Sequence, residues 1–389
     1  MSFEEMEFHL PEPTARLLKA LAAFGGATFL AGAVLAPRRV WPDLLIASHF
    51  LLGLSLAGIF FVALQYVTGA GWSAALRRVP EAMAALLPVG AISLGLALLL
   101  RPSLFPWTLP AGEEGFVGFK RVWLTLPFFL GRSAIYLLSW MLFTFAIVRT
   151  SRRQDLDGDF AHTHRNERLS AGFLVVFGIT FTLASFDWVM SLEPRWYSTI
   201  FGMYNFAGMF LGGLAALIIL LVSVQRLAPV HVFVNEGHLH DLGKLLFAFS
   251  SFWAYIWFCQ YMLIWYAHVP EETAYFVRRL HGFWEPLFLL NFVLNWAVPF
   301  LALLPRAIKR SSSLLWKVSA VVLVGRWLDL YLMIAPPFAG PKPVFGIWEC
   351  GLMAGATGLF GLLFFRALRK APLVPIQDPY LLESLHHHV

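Results

Sequence analysis

Residues 169–192 read LSAGFLVVFGITFTLASFDWVMSL, a run of apolar and small residues in which the single charged residue is Asp187. A transmembrane helix needs about 20 mostly apolar residues, and this run is long enough. An ionised carboxylate in such a helix costs about 2.5–3.5 kcal/mol, so it normally faces a partner or a wet cavity. The stretch therefore predicts a membrane-spanning helix that belongs to a buried polar site.

The whole chain has the composition of a polytopic membrane protein. Of its 389 residues, 59% are hydrophobic and 13% are charged, whereas soluble domains contain about 25% charged residues. The two cysteines lie in apolar runs, which excludes a four-cysteine iron–sulfur site and a CxxCH haem attachment. We attribute the net charge of +6 to Lys and Arg in cytoplasmic loops and expect no binding of nucleic acid.

Ten runs are apolar and long enough to cross a bilayer. In chain order, these predicted helices are Leu17–Ala36, Leu44–Val67, Met83–Leu100, Val122–Val148, Leu169–Leu192, Ser198–Val224, Leu242–Ala267, Gly282–Leu304, Leu314–Ala335 and Val344–Leu368. Residues 17–368 thus form the predicted membrane domain. The polar N-terminal segment 1–16 has no signal-peptide pattern. The polar tail 369–389 is expected to contact partners or to be mobile.

Lys and Arg residues near the helix ends predict the orientation. If the N-terminus is cytoplasmic, the cytoplasmic flanks contain 18 of these residues and the opposite flanks contain 9. Both termini and the basic segment 149–168 are therefore expected on the cytoplasmic side. Residues 151–168 contain several Asp and His residues, but they lack the spacing of an EF-hand, and we interpret this segment as a solvated loop.

Ionisable side chains inside the predicted helices concentrate in the outer half of the membrane. Arg132 and Tyr136 are four residues apart and share one face of the fourth helix, next to the helix that carries Asp187. Arg326 and Asp329 are three residues apart and can form an ion pair. The candidates for a proton pathway or a quinone-contacting surface are His49, Arg132, Tyr136, Asp187, Arg326, Asp329 and Glu285. No residue is predicted to be catalytic or to bind a metal.

Several of these features have a purely structural alternative. Arg326 and Asp329 can equally be an ion pair that fastens helices, and Glu285 can meet interfacial water near a helix end. Gly208 and Gly212 form a GxxxG pattern that indicates close helix packing. Other polar and aromatic residues have structural readings too: Asn291 and Asn295 as interhelical hydrogen-bonding groups, and Trp188, Trp196 and Tyr197 as an aromatic belt.

A weak internal repeat connects two helix ends. The segments FDWVMSL (186–192) and LDLYLMI (328–334) each end an outward-running predicted helix. Four helices separate them, so the repeat would match helices two to five with helices six to nine. Asp187 and Asp329 occupy the same position in the two segments.

Three stretches resemble the F subunits of bacterial alternative complex III, which are NrfD-like membrane proteins. They are FFLGRSAIYLLSW (128–140), SFDWVMSLEPRWYSTIFGMYNFAG (185–208) and HDLGKLLFAFSSFWAYIWFCQYMLIWYAHVPEET (240–273). The resemblance implies an all-α protein of the bacterial cytoplasmic membrane, with ten helices that include two four-helix bundles. It also implies a complex that oxidises quinol and passes the electrons to a cytochrome c or to another acceptor.

The resemblance further implies that the redox centres lie in other subunits. These partners are an NrfD-like C subunit, an iron–sulfur protein, multihaem and monohaem cytochromes c and, in some systems, a terminal oxidase, together with membrane lipids. The chain itself is expected to hold no covalently bound cofactor and to contribute a proton pathway, a quinone-contacting surface or both. The alternatives are a secondary transporter, which also places ionisable pairs deep in the membrane, and a purely structural subunit.

Overall fold

The computed structural model describes residues 8, 10–109, 116, 118–227 and 233–387. This part of the chain is 84% helical and contains no strand. Nine helices within it are long and apolar enough to cross a membrane. The prediction of an all-α, multi-pass membrane protein is therefore confirmed.

The described residues contain ten long helices, which we name α1 to α10. They are α1 Glu12–Leu35, α2 Pro37–Thr68, α3 Arg78–Leu100, α4 Leu126–Asp157, α5 Ala161–Leu192, α6 Phe201–Leu227, α7 Glu236–Ala267, α8 Gly282–Leu303, α9 Ser312–Ile334 and α10 Ile347–Leu368. Shorter helices occupy Gly71–Leu76, Pro102–Leu104, Pro106–Thr108, Phe119–Trp123, Pro270–Leu280, Arg306–Arg310, Pro336–Ala339 and Leu381–Leu385.

Helix α9 is the one of these ten that is not among the nine apolar spans. Its three charged residues, Lys317, Arg326 and Asp329, are spaced so that every stretch of 18 residues in this helix contains all three. Helix α8 is irregular, because it contains a π-helical turn at Val293–Ala297, which ends two residues before Pro299. A proline lacks the backbone N–H of a regular helix, and a wider turn accommodates that loss.

Contacts between helices define two groups, α2–α5 and α6–α9, which meet mainly where α2 packs against α6 and where α5 packs against α6. Helix α1 lies along α10, outside both groups. This outer pair is close because glycines face each other: a Cβ atom on Gly25 would lie 2.2 Å from the Cα atom of Gly355. Backbone approach of this kind is typical of helices that associate in lipid.

The C-terminal tail folds back onto the chain. Its helix Leu381–Leu385 packs against the short helix Gly71–Leu76. The Ser384 hydroxyl accepts a hydrogen bond of 3.1 Å from the Ala75 amide and donates one of 2.6 Å to the Trp72 carbonyl. The described part of the tail, up to residue 387, is therefore packed and not mobile as expected, while its contact with partners stays a prediction.

The prediction that residues 151–168 form a solvated loop is wrong. Helix α4 continues to Asp157 and α5 begins at Ala161, so most of this segment is helical. The two helix ends hold each other, because the buried Gln154 side chain donates a 2.7 Å hydrogen bond to the buried Thr163 hydroxyl. Polar residues at helix ends can thus satisfy one another without forming a loop.

Candidate functional site

The carboxylate of Asp187 is fully buried near the end of α5 and receives four hydrogen bonds. Arg132 donates through Nε to Oδ2 at 3.0 Å and through Nη2 to Oδ1 at 2.8 Å. The Tyr136 hydroxyl donates to Oδ2 at 3.0 Å, and the Trp123 indole N–H donates to Oδ1 at 2.8 Å. The pairing of Asp187 with Arg132 and Tyr136 agrees with the polar face predicted on α4.

Arg132 is held from its other side by aromatic rings. Its guanidinium lies 3.8 Å from the centre of the Trp123 ring and 4.3 Å from the centre of the Phe128 ring. It also donates a 3.1 Å hydrogen bond to the Trp123 carbonyl. Cations over aromatic faces are attracted by the ring quadrupole, so the short helix Phe119–Trp123 completes the site. Sequence spacing gave no signal for Trp123, which lies before α4.

A second buried carboxylate, Asp329, lies near the end of α9 and is also fully buried. Arg326 donates to its Oδ2 at 2.6 Å, and Asn291 of α8 donates to its Oδ1 at 3.0 Å. The Tyr204 hydroxyl of α6 also donates to Oδ1. Asn295 extends the network, since its amide donates to the Asn291 side-chain oxygen at 2.7 Å. The predicted Arg326–Asp329 ion pair is therefore present and has further partners.

The two carboxylates follow one plan. Each lies near the end of its helix, and the preceding long helix supplies a donor to it: Arg132 from α4 for Asp187, and Asn291 from α8 for Asp329. In both helices a second polar residue follows four positions later, Tyr136 in α4 and Asn295 in α8. This correspondence supports the repeat that the sequence indicates only weakly.

The GxxxG pattern on α6 accommodates a side chain. A Cβ atom on Gly208 would lie 2.4 Å from Arg326 Nη1, and one on Gly212 would lie 2.7 Å from Arg326 Cγ. The two glycines therefore make room for Arg326 against the α6 backbone. Tyr204, Gly208 and Gly212 recur at intervals of four on one helix face, a signal that could have linked Tyr204 to this site.

His49 lies on α2 beside a small cavity between the two carboxylate networks. The cavity has a volume of about 30 Å³, and its lining includes His49, Trp188, Asn205 and Arg326. His49 Nδ1 lies 2.8 Å from the Leu45 carbonyl and therefore donates to it, whereas the buried Nε2 has no protein partner. The Asn205 amide nitrogen also has none. A space of this size holds one or two water molecules, which these polar atoms would bind.

Trp188 and Trp196 are buried, so their assignment to an aromatic belt is wrong. The Trp188 indole donates a 2.9 Å hydrogen bond to the Ser133 hydroxyl, and its ring centre lies 5.8 Å from that of His49. Trp188 lines the cavity, and its ring centre lies 6.0 Å from that of Tyr136, which donates to Asp187. Trp196 stacks on Tyr275 with ring centres 4.0 Å apart. Tyr197 alone of the three is exposed.

Arg279 connects chain segments at the end of the bundle that contains Asp187 and Asp329, although its sequence position suggested a solvated charge in a loop. It is buried and donates to the Leu332 carbonyl at 2.8 Å and to Glu193 at 2.8 Å. Its guanidinium lies 3.4 Å from the centre of the Tyr275 ring. Burial raises the pKa of Tyr275 to about 12, so the phenol stays neutral at physiological pH beside this ion pair.

Glu285 lies apart from both networks. Its side chain is exposed at the start of α8, and no described hydrogen bond connects it to Asp187 or Asp329. By contrast, Glu349 near the start of α10 is buried and pairs with Arg39 at 2.7 Å. Glu285 is therefore the one site candidate that the structure does not bring to the buried groups.

A further network of buried charges lies at the opposite end of the bundle, where the sequence suggested loop charges. Arg77 pairs with Asp378 of the tail and donates to the Tyr66 hydroxyl at 3.0 Å. Arg78 donates to Glu81 at 2.6 Å and also pairs with Asp155 of α4. The i, i+3 spacing of Arg78 and Glu81 was visible in the sequence. No signal in the sequence indicated that Asp155 of α4 and Asp378 of the tail are the other partners of these arginines.

No protein-family model matches the chain, and no curated protein matches it significantly. Within the described residues, no group of three or more His, Cys, Asp or Glu side chains could hold a metal ion. The titratable groups of the site are two arginine-bound carboxylates, Asp187 and Asp329, and His49, whose Nε2 has no protein partner.

Proposed function

We propose that the chain is a membrane subunit of a bacterial quinol-oxidising complex of the alternative complex III type, and that it conducts protons. It would lie in the cytoplasmic membrane with both termini in the cytoplasm and with the two helix groups forming the NrfD-like pair of bundles. The observation that carries the proposal is the cavity beside His49, whose lining includes Trp188, the chain neighbour of Asp187, and Arg326, which donates to Asp329.

The residues fit the handling of protons. An arginine keeps a buried carboxylate ionised until a proton arrives, and a carboxylate or an imidazole can accept and release that proton. His49 Nε2 has no protein partner, so it is free to bond to water in the cavity. Quinol oxidation releases two protons, and this chain would carry protons in the complex.

The size of the cavity argues for protons and against a larger ligand at this point. Pockets for small molecules have volumes of about 300–1,000 Å³, whereas this cavity measures about 30 Å³. Neither a quinone ring nor a transported solute fits in it. We assign the quinol site to the related C subunit, and the haem c groups and iron–sulfur clusters to the cytochrome and iron–sulfur partners, because the resemblance to F subunits implies this distribution.

The resemblance to F subunits supports the same assignment. Two of the stretches that carry it, 128–140 and 185–208, contain Arg132, Tyr136 and Asp187, which the structure joins in one network. The likeness therefore includes the residues that make the site.

Purification of the tagged chain from its native membrane tests the proposal. We expect a complex that contains haem c and iron–sulfur clusters and oxidises quinol. His49→Phe should fill the cavity, leave the haem content unchanged and slow quinol-linked proton release at least about tenfold, because general acid–base groups typically contribute about 10²–10⁴ in rate. His49→Gln, which keeps a polar side chain, checks that bulk is not the cause.

The exposed residue His281 supplies a matched control, and His281→Phe should leave turnover unchanged. Purification without any redox protein would contradict the assignment to a complex. Unchanged proton release in both His49 variants would contradict the proton pathway. Solute uptake by the isolated chain in liposomes would favour the transporter.

A further inference from the structure

A groove of about 500 Å³ runs between α3, α4 and the end of α10. Its walls are mainly apolar and come from α3 and α4. The apolar side chains that line it include Leu87, Pro88, Met141, Phe145, Val148 and Leu156. Several of them are exposed, with Phe145 at 62% and Leu156 at 87%, so the groove opens to the surface of the helix bundle.

One end of the groove is basic. Its lining includes Arg149, Arg152 and Arg153 of α4 and Lys370, which follows α10. None of the four forms an ion pair with a carboxylate in the described part of the chain, although Arg149 lies 5.5 Å from the centre of the Phe145 ring. The one carboxylate of the lining, Glu81, is already bound to Arg78.

Arg152 is the least exposed of these cations. Its Nη2 lies 3.5 Å from the Ala367 carbonyl, and its buried Nε has no partner. The groove therefore combines a long apolar wall with a group of cations that the protein itself does not neutralise. An occupant that matches both properties has an apolar chain and an anionic head.

We propose that this groove binds an anionic phospholipid from the surrounding membrane. Its phosphate would lie among the four cations, and an acyl chain would follow the apolar walls of α3 and α4. The basic end lies beside the folded tail, at the end of the bundle that we propose to be cytoplasmic. Basic pockets between transmembrane helices on that side suit anionic lipid heads. This binding site is independent of the proposed proton pathway.

Charge complementarity decides between a lipid and a partner helix. A transmembrane helix of another subunit would cover the apolar walls but would leave the arginines and the lysine unneutralised at the rim. A free phosphate would neutralise the cations at the basic end of the groove but would leave the apolar side chains of Phe145 and Leu156 uncovered. A phospholipid satisfies both, and a charged head would also shield the cations from one another.

Native mass spectrometry of the full chain with added lipids tests the proposal. The purified protein is titrated with phosphatidylglycerol, with cardiolipin and with zwitterionic phosphatidylcholine. We expect one anionic lipid to bind at least about tenfold more tightly than phosphatidylcholine. Arg149→Gln/Arg153→Gln should weaken anionic-lipid binding about thirtyfold, since a basic residue near a membrane surface contributes about fivefold. Both arginines are exposed, so the fold should remain intact.

Arg165→Gln/Arg168→Gln is the matched control. These arginines are exposed at the same end of the bundle, on α5, and do not line the groove, so this variant should bind the anionic lipid like the wild type. Equal binding of zwitterionic and anionic lipids by the wild type would overturn the proposal. Full competition by the soluble headgroup glycerophosphoglycerol would also overturn it, because that result leaves no role for the apolar walls. A partner helix cross-linked to a probe at Phe145, which lines the groove and is exposed, with no lipid retained in the native complex, would show a protein occupant instead.

Discussion

Arg132 and Asp187 are joined by two parallel hydrogen bonds of 3.0 and 2.8 Å, and the arginine is 7% exposed while the aspartate is fully buried. Fork-to-fork pairing of this kind fixes the orientation of both groups. The pair connects α4 to α5 and places the carboxylate within reach of Tyr136 and Trp123. Both charges are buried among protein groups, so each depends on the other.

The first prediction follows from that dependence. Asp187→Asn keeps the shape of the side chain but leaves Arg132 buried without a counter-charge, and stranding a buried charge typically costs about 3–5 kcal/mol. We expect a lower thermal midpoint for the purified protein and a loss of proton release coupled to quinol oxidation. Arg132→Gln/Asp187→Asn removes both charges, so it should recover most of the stability but not the coupling.

Glu285→Gln is the matched control for Asp187→Asn, since it removes an exposed carboxylate that lies outside the network. It should change neither stability nor turnover. A stable Asp187→Asn protein with normal coupling would show that the ion pair is dispensable for both.

The second prediction concerns the space that α6 leaves for Arg326. A methyl group at position 208 would lie 2.4 Å from Arg326 Nη1 and 2.9 Å from Asp329 Oδ2. Gly208→Ala should therefore displace the arginine and destabilise the protein by about 1–3 kcal/mol, as overpacking of a core does. Gly131→Ala adds the same methyl group where no atom lies within 4 Å. Equal thermal midpoints for the two variants would mean that α6 and α9 can move apart to admit the methyl group with no loss of stability.

Helical periodicity was sufficient to find half of the site. It placed Arg132 and Tyr136 on one face next to Asp187, and it paired Arg326 with Asp329, because these contacts depend on spacing within a helix or between consecutive helices. Trp123 could not be found in this way, and the spacing of Tyr204 with Gly208 and Gly212 gives only its helix face, not its partner. Tyr204 contacts a carboxylate that lies 125 residues further along the chain, and only the packing of α6 against α9 brings the two together.

The buried network at the opposite end was missed for a different reason. Arginines that flank a membrane helix are normally solvated, and in the sequence Arg77 and Arg78 serve only as indicators of orientation. Their burial depends on a tail that folds back across the helix ends, since Asp378 lies 301 residues from Arg77. No local pattern specifies such a contact. The polar composition of the tail instead suggested mobility.

The third prediction tests whether this contact holds the tail in place. Asp378→Asn removes the counter-charge of Arg77, which is 4% exposed, and should destabilise the tail by about 3–5 kcal/mol. Chymotryptic cleavage at Tyr380 should then become faster at unchanged protease concentration. Glu383→Gln changes an exposed carboxylate on the same tail and should leave the cleavage rate as it is. If both variants are cleaved like the wild type, contacts other than the Arg77–Asp378 pair hold the tail.

The last prediction concerns orientation. Single cysteines at Asp159, between α4 and α5, and at Lys120, before α4, lie on opposite sides of the membrane if α4 crosses it once. The free thiols Cys259 and Cys350 are first replaced by serine. With basic flanks on the cytoplasmic side, an impermeant thiol reagent added to intact cells should label the cysteine at 120 and spare the one at 159. Permeabilised cells, in which both should react, show that each thiol is accessible. Labelling of position 159 in intact cells would reverse the orientation, and the folded tail, the Arg77 network and the proposed lipid groove would then face the periplasm.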